Sequence, residues 1–231
     1  MRVGIFGGTF DPIHVGHLRA AEEVRELFSL NRIYFVPACI PPHKRDQQIS
    51  RINDRLMMAG LAVKGNRFFK VSDIEAKRDG ISYSIDTITA IEGTFGDVYF
   101  LIGADAFSEI DTWHRYRDLF SHADFVVMVR PGHSGISGLA MFPPDVRESM
   151  KAVDERTFEH TSGKHTYLQP ITQLDVSATK IRAHAGEGKS IKYLVPPAVE
   201  TYIVKQGLYR RQKANHIGKN MESIQGKMWK S

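Results

Sequence analysis

The stretch Gly4–His17, GIFGGTFDPIHVGH, holds four glycines, one proline, one aspartate and two histidines in fourteen residues. Its start belongs to a short apolar strand, Arg2–Phe6, that ends at glycines. Beyond it Leu18, Ala21, Val24 and Phe28 recur at helical spacing, and Asn31 is placed to close that helix. A strand, a glycine-rich turn and a helix in this order open an α/β fold. His14 and His17, with Gly16 between them, admit three readings: metal ligands, core residues, or contacts to a phosphate.

The alternation continues along the chain. Ile33–Val36 reads as a second buried strand ended by Pro37, and residues 37–50, with three prolines, as a long loop. Arg51–Val63 reads as a helix, Phe68–Val71 as a strand, and Tyr83–Ile91 as a helix carrying Ile85, Ile88 and Ile91 at three-residue spacing. Val98–Ile102 and Phe125–Val129 are the most apolar strands, each followed by a polar stretch, GADA and RPGH. This pattern predicts an open, mostly parallel sheet with helices on both faces. Ligands of such sheets gather at the carboxyl ends of the strands.

Composition excludes several classes. The chain has 231 residues, 42% hydrophobic and 25% charged, as a soluble globular protein does. Cys39 is its single cysteine, so no intrachain disulfide forms, which fits a reducing cytoplasm. The start MRVGIFGG has neither the apolar run nor the cleavage site of a secretory signal, and no stretch is long and apolar enough to span a bilayer. The net charge of +5 resides in a tail: residues 210–231 carry six positive side chains and one negative. The body, residues 1–209, is neutral, which argues against a nucleic-acid-binding face. The tail, rich in Lys, Gln and Asn, reads as a mobile appendage to one domain.

The strand ends carry the chemistry. Gly7 and Gly8 let a phosphate approach the backbone, and Lys44, Arg130 and Arg182 can neutralise one. Ser177 in DVSATKIR (175–182) is placed to cap a helix whose free amides face an anion. Neither the dinucleotide GxGxxG nor a GxxxxGK[ST] loop is present. For the histidine pair a zinc site would need a third ligand from His43 or Asp11, and no HExxH or cysteine cluster supports it.

GGTFDPIHVGH resembles the GxFDPxHxGH signature of the bacterial nucleotidyltransferases, and DVSATKIR their second, ISSTxxR-type signature. With PPHK (41–44), DGISYSIDT (79–87), GADAF and TW (103–113) and LVPPAVETYIVKQGLYR (194–210), residues 1–210 resemble the nicotinate-nucleotide adenylyltransferases. That resemblance implies a Rossmann-like open parallel sheet of nucleotidyltransferase type. It implies transfer of the adenylyl group of ATP to nicotinate mononucleotide, giving deamido-NAD and pyrophosphate in NAD biosynthesis, with Mg²⁺ held mainly by the ATP phosphates. A different acceptor, nicotinamide mononucleotide or phosphopantetheine, and a non-catalytic nucleotide-binding module are the alternatives. Assembly as a homo-oligomer is compatible with the sequence.

The resemblance also implies residue roles. His14, His17 and Arg182 would be catalytic, with His17 stabilising charge on the α-phosphate. Gly8, Thr9, Phe10, Gly16, Gly103, Asp105, Arg130, Ser177 and Thr179 would bind ATP. His43, Lys44, Ser84, Trp113 and His114 would bind the mononucleotide, Trp113 by stacking on the nicotinate ring and amides near Ser84 and His114 by holding its carboxylate. A lone tryptophan otherwise belongs to a core. The chain departs from the common pattern at Ala38 and Cys39 (often asparagines), Ser84 (often threonine) and His114 (often tyrosine).

Overall fold

The structure is a computed structural model and describes residues 1–40, 49–78, 80–129, 137–172 and 174–210. Its chain runs β1 (Val3–Gly8), α1 (Val15–Leu27), β2 (Arg32–Pro37), α2 (Ile52–Val63), β3 (Phe69–Val71), α3 (Ser84–Phe95) and β4 (Val98–Gly103). It continues through α4 (Ala104–Phe107), α5 (Tyr116–His122), β5 (Asp124–Val129), α6 (Pro144–Arg147), β6 (Met150–Ala152), β7 (Thr157–His160) and β8 (His165–Pro170). Two further helices, α7 (Ala178–Gly186) and α8 (Pro197–Gln206), close it. The strands form one sheet in the order β3-β2-β1-β4-β5-β8-β7-β6. From β3 to β8 neighbouring strands are parallel, and β7 and β6 then run antiparallel.

Both faces of the sheet are covered, which is why its central strands read as unbroken apolar runs. Side chains alternate between two cores. Val3, Ile5, Val98, Phe100, Ile102, Phe125 and Val127 pack with Ile85, Ile88 and Ile91 of α3 and Leu119 and Phe120 of α5. Phe6, Ile33, Phe35, Tyr99, Leu101, Val126 and Met128 pack on the other face with α1, α2, α7 and α8. Gly4 belongs to that second face: a Cβ there would lie 3.0 Å from Ile33 Cγ1 and Leu30 Cδ1, so a larger residue would push these side chains back by a few tenths of an ångström.

The predicted strands and helices are all present, with shifted ends. β1 runs on through Gly7 and Gly8, because both stay paired with Val36 and Pro37 of β2. Asn31 does not close α1, which ends at Leu27, with Ser29 at a positive φ of 50° beyond it. Asn31 instead accepts the Arg2 N–H on its Oδ1 (3.0 Å) and gives its own N–H to the Arg2 carbonyl (2.9 Å), tying β2 to the root of β1. The β6–β7–β8 extension lies in a region without a sequence-based expectation.

Register opens the crevice. The β1–β4 ladder stops at Phe6↔Leu101, whereas β1–β2 continues to Gly8↔Pro37 and β4–β5 to Gly103↔Met128. The carboxyl ends of β1 and β4 therefore part, at the place where the chain order switches direction across the sheet.

Candidate active site

A cavity of about 480 Å³ occupies that parting. Its walls include Phe6, Gly7, Gly8 and Thr9 from the end of β1, Ala38 beyond β2, and Phe100 to Gly103 from β4. Ser82, Tyr83 and Ser84 bring the start of α3 to it, and Trp113 and His114 close its other side. Six predicted contacts, Gly8, Thr9, Gly103, Ser84, Trp113 and His114, thus meet in one hollow.

Trp113 serves two neighbours at once. Its half-buried ring meets Phe100 edge-on, with centroids 6.2 Å apart, while it also lines the cavity. His114 is exposed and lies against Tyr83, ring centroids 4.2 Å apart. Tyr83 is the residue before α3 and gives that helix no side-chain cap, so the first-turn amides at Ser84 remain available to an anion at the cavity wall.

The histidines sit at the margin of this hollow, at the start of α1. His14 precedes the helix and His17 falls in its first turn. The His17 ring packs edge-on against Phe10 (5.1 Å) and Phe6 (5.9 Å), and Phe6 is itself a cavity wall. Phe10 has a positive φ of 49° and a side chain buried in the second core, leaving its main chain for any ligand contact. The neighbour that Gly16 accommodates is the His14 ring: a Cβ on Gly16 would lie 3.1 Å from His14 Nδ1.

Charge at this margin is governed by burial. Desolvation lowers the His14 pKa from 6.5 to about 4. His17 is held well below its ordinary value, first by burial and then by the nearby His14. Both rings are therefore neutral near pH 7. His14 Nδ1 is buried without a hydrogen-bond partner among the described residues, a polar atom left for a ligand or water.

The second predicted signature reaches the same place. Ser177 caps α7 as expected, its Oγ accepting the Lys180 N–H at 3.2 Å. Arg182, one turn inside α7, donates from Nη1 to the Asp11 carbonyl (2.8 Å) and from Nη2 to Thr179 Oγ1 (3.3 Å). Arg182 and Thr179 are thereby joined to the β1–α1 turn that carries the histidines. Asp105 is exposed in the first turn of α4, directly after Gly103. His43, Lys44, Arg130 and the tail from residue 211 lie outside the described residues.

Both carboxylate oxygens of Asp11 already accept a hydrogen bond within the protein. Its Oδ2 accepts the Ser50 N–H (3.1 Å) and its Oδ1 the Tyr209 hydroxyl (2.7 Å). Among the described residues no group of three or more His, Cys, Asp or Glu side chains is placed to hold a metal.

Sequence reading missed several residues that shape the site. Arg55, Glu75 and Ser82 are buried polar side chains at or behind its wall. Glu75 accepts from Thr87 Oγ1 at 2.7 Å, yet burial still raises its pKa. The available signal for Arg55 was a charge on the stripe of α2 that also carries Met58, Ala59 and Val63.

A switch-point crevice with an uncapped helix start at its wall, and with paired histidines and a second helix start near one margin, is an arrangement suited to a phosphorylated ligand. A model of the cytidylyltransferase-like family matches residues 5–184. A relative from Pelobacter propionicus, named "Probable nicotinate-nucleotide adenylyltransferase", is 43% identical over 216 residues, covering 90% of this chain and 98% of that one. Another of the same name, from Desulfatibacillum aliphaticivorans, is 41% identical over 215 residues, covering 90% and 100%. The chain belongs to the cytidylyltransferase-like family and, within it, to the nicotinate-nucleotide adenylyltransferases. Its fold also matches the solved structure of Plasmodium falciparum nicotinic acid mononucleotide adenylyltransferase complexed with NaAD, with a TM-score of 0.69 at 21% identity over 90% of this chain and 97% of that one.

Proposed function

We propose that this chain transfers the adenylyl group of ATP to nicotinate mononucleotide, forming deamido-NAD and releasing pyrophosphate. The observation that carries this reading is the arrangement of the β1–β4 crevice. Phosphate-directed groups (His14, His17, Arg182 and the start of α7) stand on one margin. A flat aromatic and free helix amides (Trp113, Ser84) stand at the other.

The chemistry needs no general base. The attacking phosphate of the mononucleotide has a second pKa near 6 and is largely ionised at neutral pH. Its oxygen bonds to the α-phosphorus as the bond to pyrophosphate breaks, and catalysis consists of alignment plus stabilisation of charge on the equatorial and leaving oxygens. His17 is suited to this as a neutral donor. Its Nδ1 accepts the His14 N–H at 3.2 Å, which leaves the ring proton on Nε2, directed away from the helix start. Arg182 and the amides after Ser177 receive the leaving phosphates. Gly103 and Asp105 border the adenosine, and Trp113 stacks on the nicotinate ring while amides at Ser84 hold its carboxylate.

The donor set fits a Mg²⁺ ion carried on the ATP phosphates and mostly hydrated, since the nearby carboxylate of Asp11 is already engaged. When bound, such an ion would neutralise phosphate charge.

A coupled pyrophosphate-release assay with ATP, Mg²⁺ and a set of acceptors tests the proposal. Release with nicotinate mononucleotide and not with phosphopantetheine is expected; release only with another acceptor, or none at all, overturns it.

A further inference from the structure

Arg55 is among the largest fully buried side chains of the protein, 2% exposed, and its four described hydrogen bonds all go to main-chain carbonyls. Nη1 donates to Thr9 (2.9 Å) and Ala38 (2.6 Å), Nη2 to Cys39 (3.1 Å), and Nε to Ser50 (3.0 Å). These carbonyls come from three separate segments: the exit of β1, the exit of β2, and the residues entering α2. A buried charge is costly unless its donors are satisfied in good geometry, and here a rigid, planar fork satisfies them. A lysine would offer a point charge in place of that fork, and an apolar residue would leave four carbonyls unpaired.

The gripped residues are parts of the cavity. Thr9 and Ala38 line it. Cys39, held by Nη2 through its carbonyl, gives its own N–H to Ser82 Oγ at 2.8 Å. Ser82 is a wall residue two positions before α3, and the Ser82 N–H in turn reaches the Ile40 carbonyl (3.2 Å). A continuous path therefore runs from α2 through Arg55 and the β2 exit to the uncapped start of α3. Resting on the adenylyl transfer proposed above, we infer that Arg55 is a positioning residue chiefly for the mononucleotide: it fixes the β2 exit and the α3 start that receive the acceptor, and reaches the ATP side only through the Thr9 carbonyl and through Ser50, whose N–H is bonded to Asp11.

Two substitutions test this. Arg55→Lys keeps the charge without the fork, and Arg55→Gln keeps a planar head with two donors. Initial rates are measured with each substrate varied in turn, on variants shown to be folded by circular dichroism. The expected result is a rise of about tenfold or more in KM for nicotinate mononucleotide, because small misplacements of a bound reactant are costly. KM for ATP rises by less than KM for nicotinate mononucleotide, because only the Thr9 and Ser50 bonds lead to the ATP side. Loss of stability alone would not produce that split. Unchanged KM values in a folded variant, an equal rise for both substrates, or failure of both variants to fold would each overturn the inference. Wild-type protein that does not turn over nicotinate mononucleotide would instead sink the proposed function, and this inference with it.

Discussion

The rings of His14 and His17 stack face to face, centroids 3.6 Å apart and planes 23° from parallel. Two imidazolium ions could not share that spacing without strong repulsion, so the stack and the lowered pKa values describe one state, a pair of neutral rings. In the proposed reaction an arriving phosphate meets His17 as a neutral donor, and its negative charge favours protonation of at most one ring of the pair.

His17→Ala removes the ring N–H to which the proposed mechanism gives the role of stabilising charge on the α-phosphate. It is expected to lower kcat by about 10²–10³-fold, the usual loss for one preorganised charge stabiliser. Steady-state kinetics with both substrates checks this. A variant with full kcat and only a raised KM would show that His17 binds ATP without stabilising the transition state.

The same burial makes stability depend on pH. His14 titrates near 6.5 when unfolded and at about 4 when folded. Between those values the unfolded chain binds the extra proton, so this contribution is complete above pH 6.5 and is lost as pH falls toward 4. His17 is shifted in the same direction. Glu75 and Asp124, whose pKa values burial raises, oppose the trend. The measurement is therefore a difference: urea midpoints at pH 7.5 and 5 for wild type and for His14→Asn. Wild type should lose more stability than the variant on acidification; equal losses would mean that His14 is not buried neutral.

Tyr209 and Asp11 join the two ends of the described chain through a 2.7 Å bond at a buried site. Burial raises the tyrosine pKa, so its hydroxyl stays a donor at all ordinary pH. Tyr209→Phe keeps the ring and removes the bond, and should cost about 1.5–3 kcal/mol, as for a hydrogen bond to a charged group. Tyr202→Phe is the control. Its bond to Asp54 has the same length but lies nearer solvent, so its loss should be smaller. Equal midpoints for wild type and Tyr209→Phe would exclude the tie.

How far the sequence discloses this protein follows from which interactions are local. The parallel core was legible because Val98–Ile102 and Phe125–Val129 are buried on both faces and leave unbroken apolar runs. Ser177 was legible because a cap acts within one turn. β6 and β7 were not: Met150–Ala152 and Thr157–His160 each bury one side chain and mix it with charges. Arg55 escaped for a different reason, since its role exists only where residues 9, 38, 39 and 50 converge. That Ser84, Trp113 and His114 share one cavity was legible through family resemblance alone, as nothing local distinguishes a lining tryptophan from a core one.

Trp113→Ala tests that dual position. Loss of a stacked ring is expected to raise KM for nicotinate mononucleotide about ten- to a hundredfold, on the scale of aromatic–base stacking. KM for ATP should change little. Some stability is also lost, because Phe100 loses its edge contact. An equal loss for both substrates would make Trp113 a packing residue only.

Two truncations distinguish the domain from its basic tail. α8 ends at Gly207, whose φ of 63° turns the chain back so that Leu208 and Tyr209 lie against the second core. The Tyr209 carbonyl sits 2.9 Å from where a Cβ on Gly186 would be, so this segment packs on the end of α7, the helix that carries Arg182. Every named contact of the C-terminal segment with the site is thus made by residue 209. Deleting residues 212–231 should leave kcat, both KM values and the urea midpoint unchanged. Ending the chain at Leu208 should lower the midpoint at least as far as Tyr209→Phe does, since it removes both the tie to Asp11 and the packing on α7. A large loss of activity in the longer truncation product would show that the basic tail takes part in the reaction.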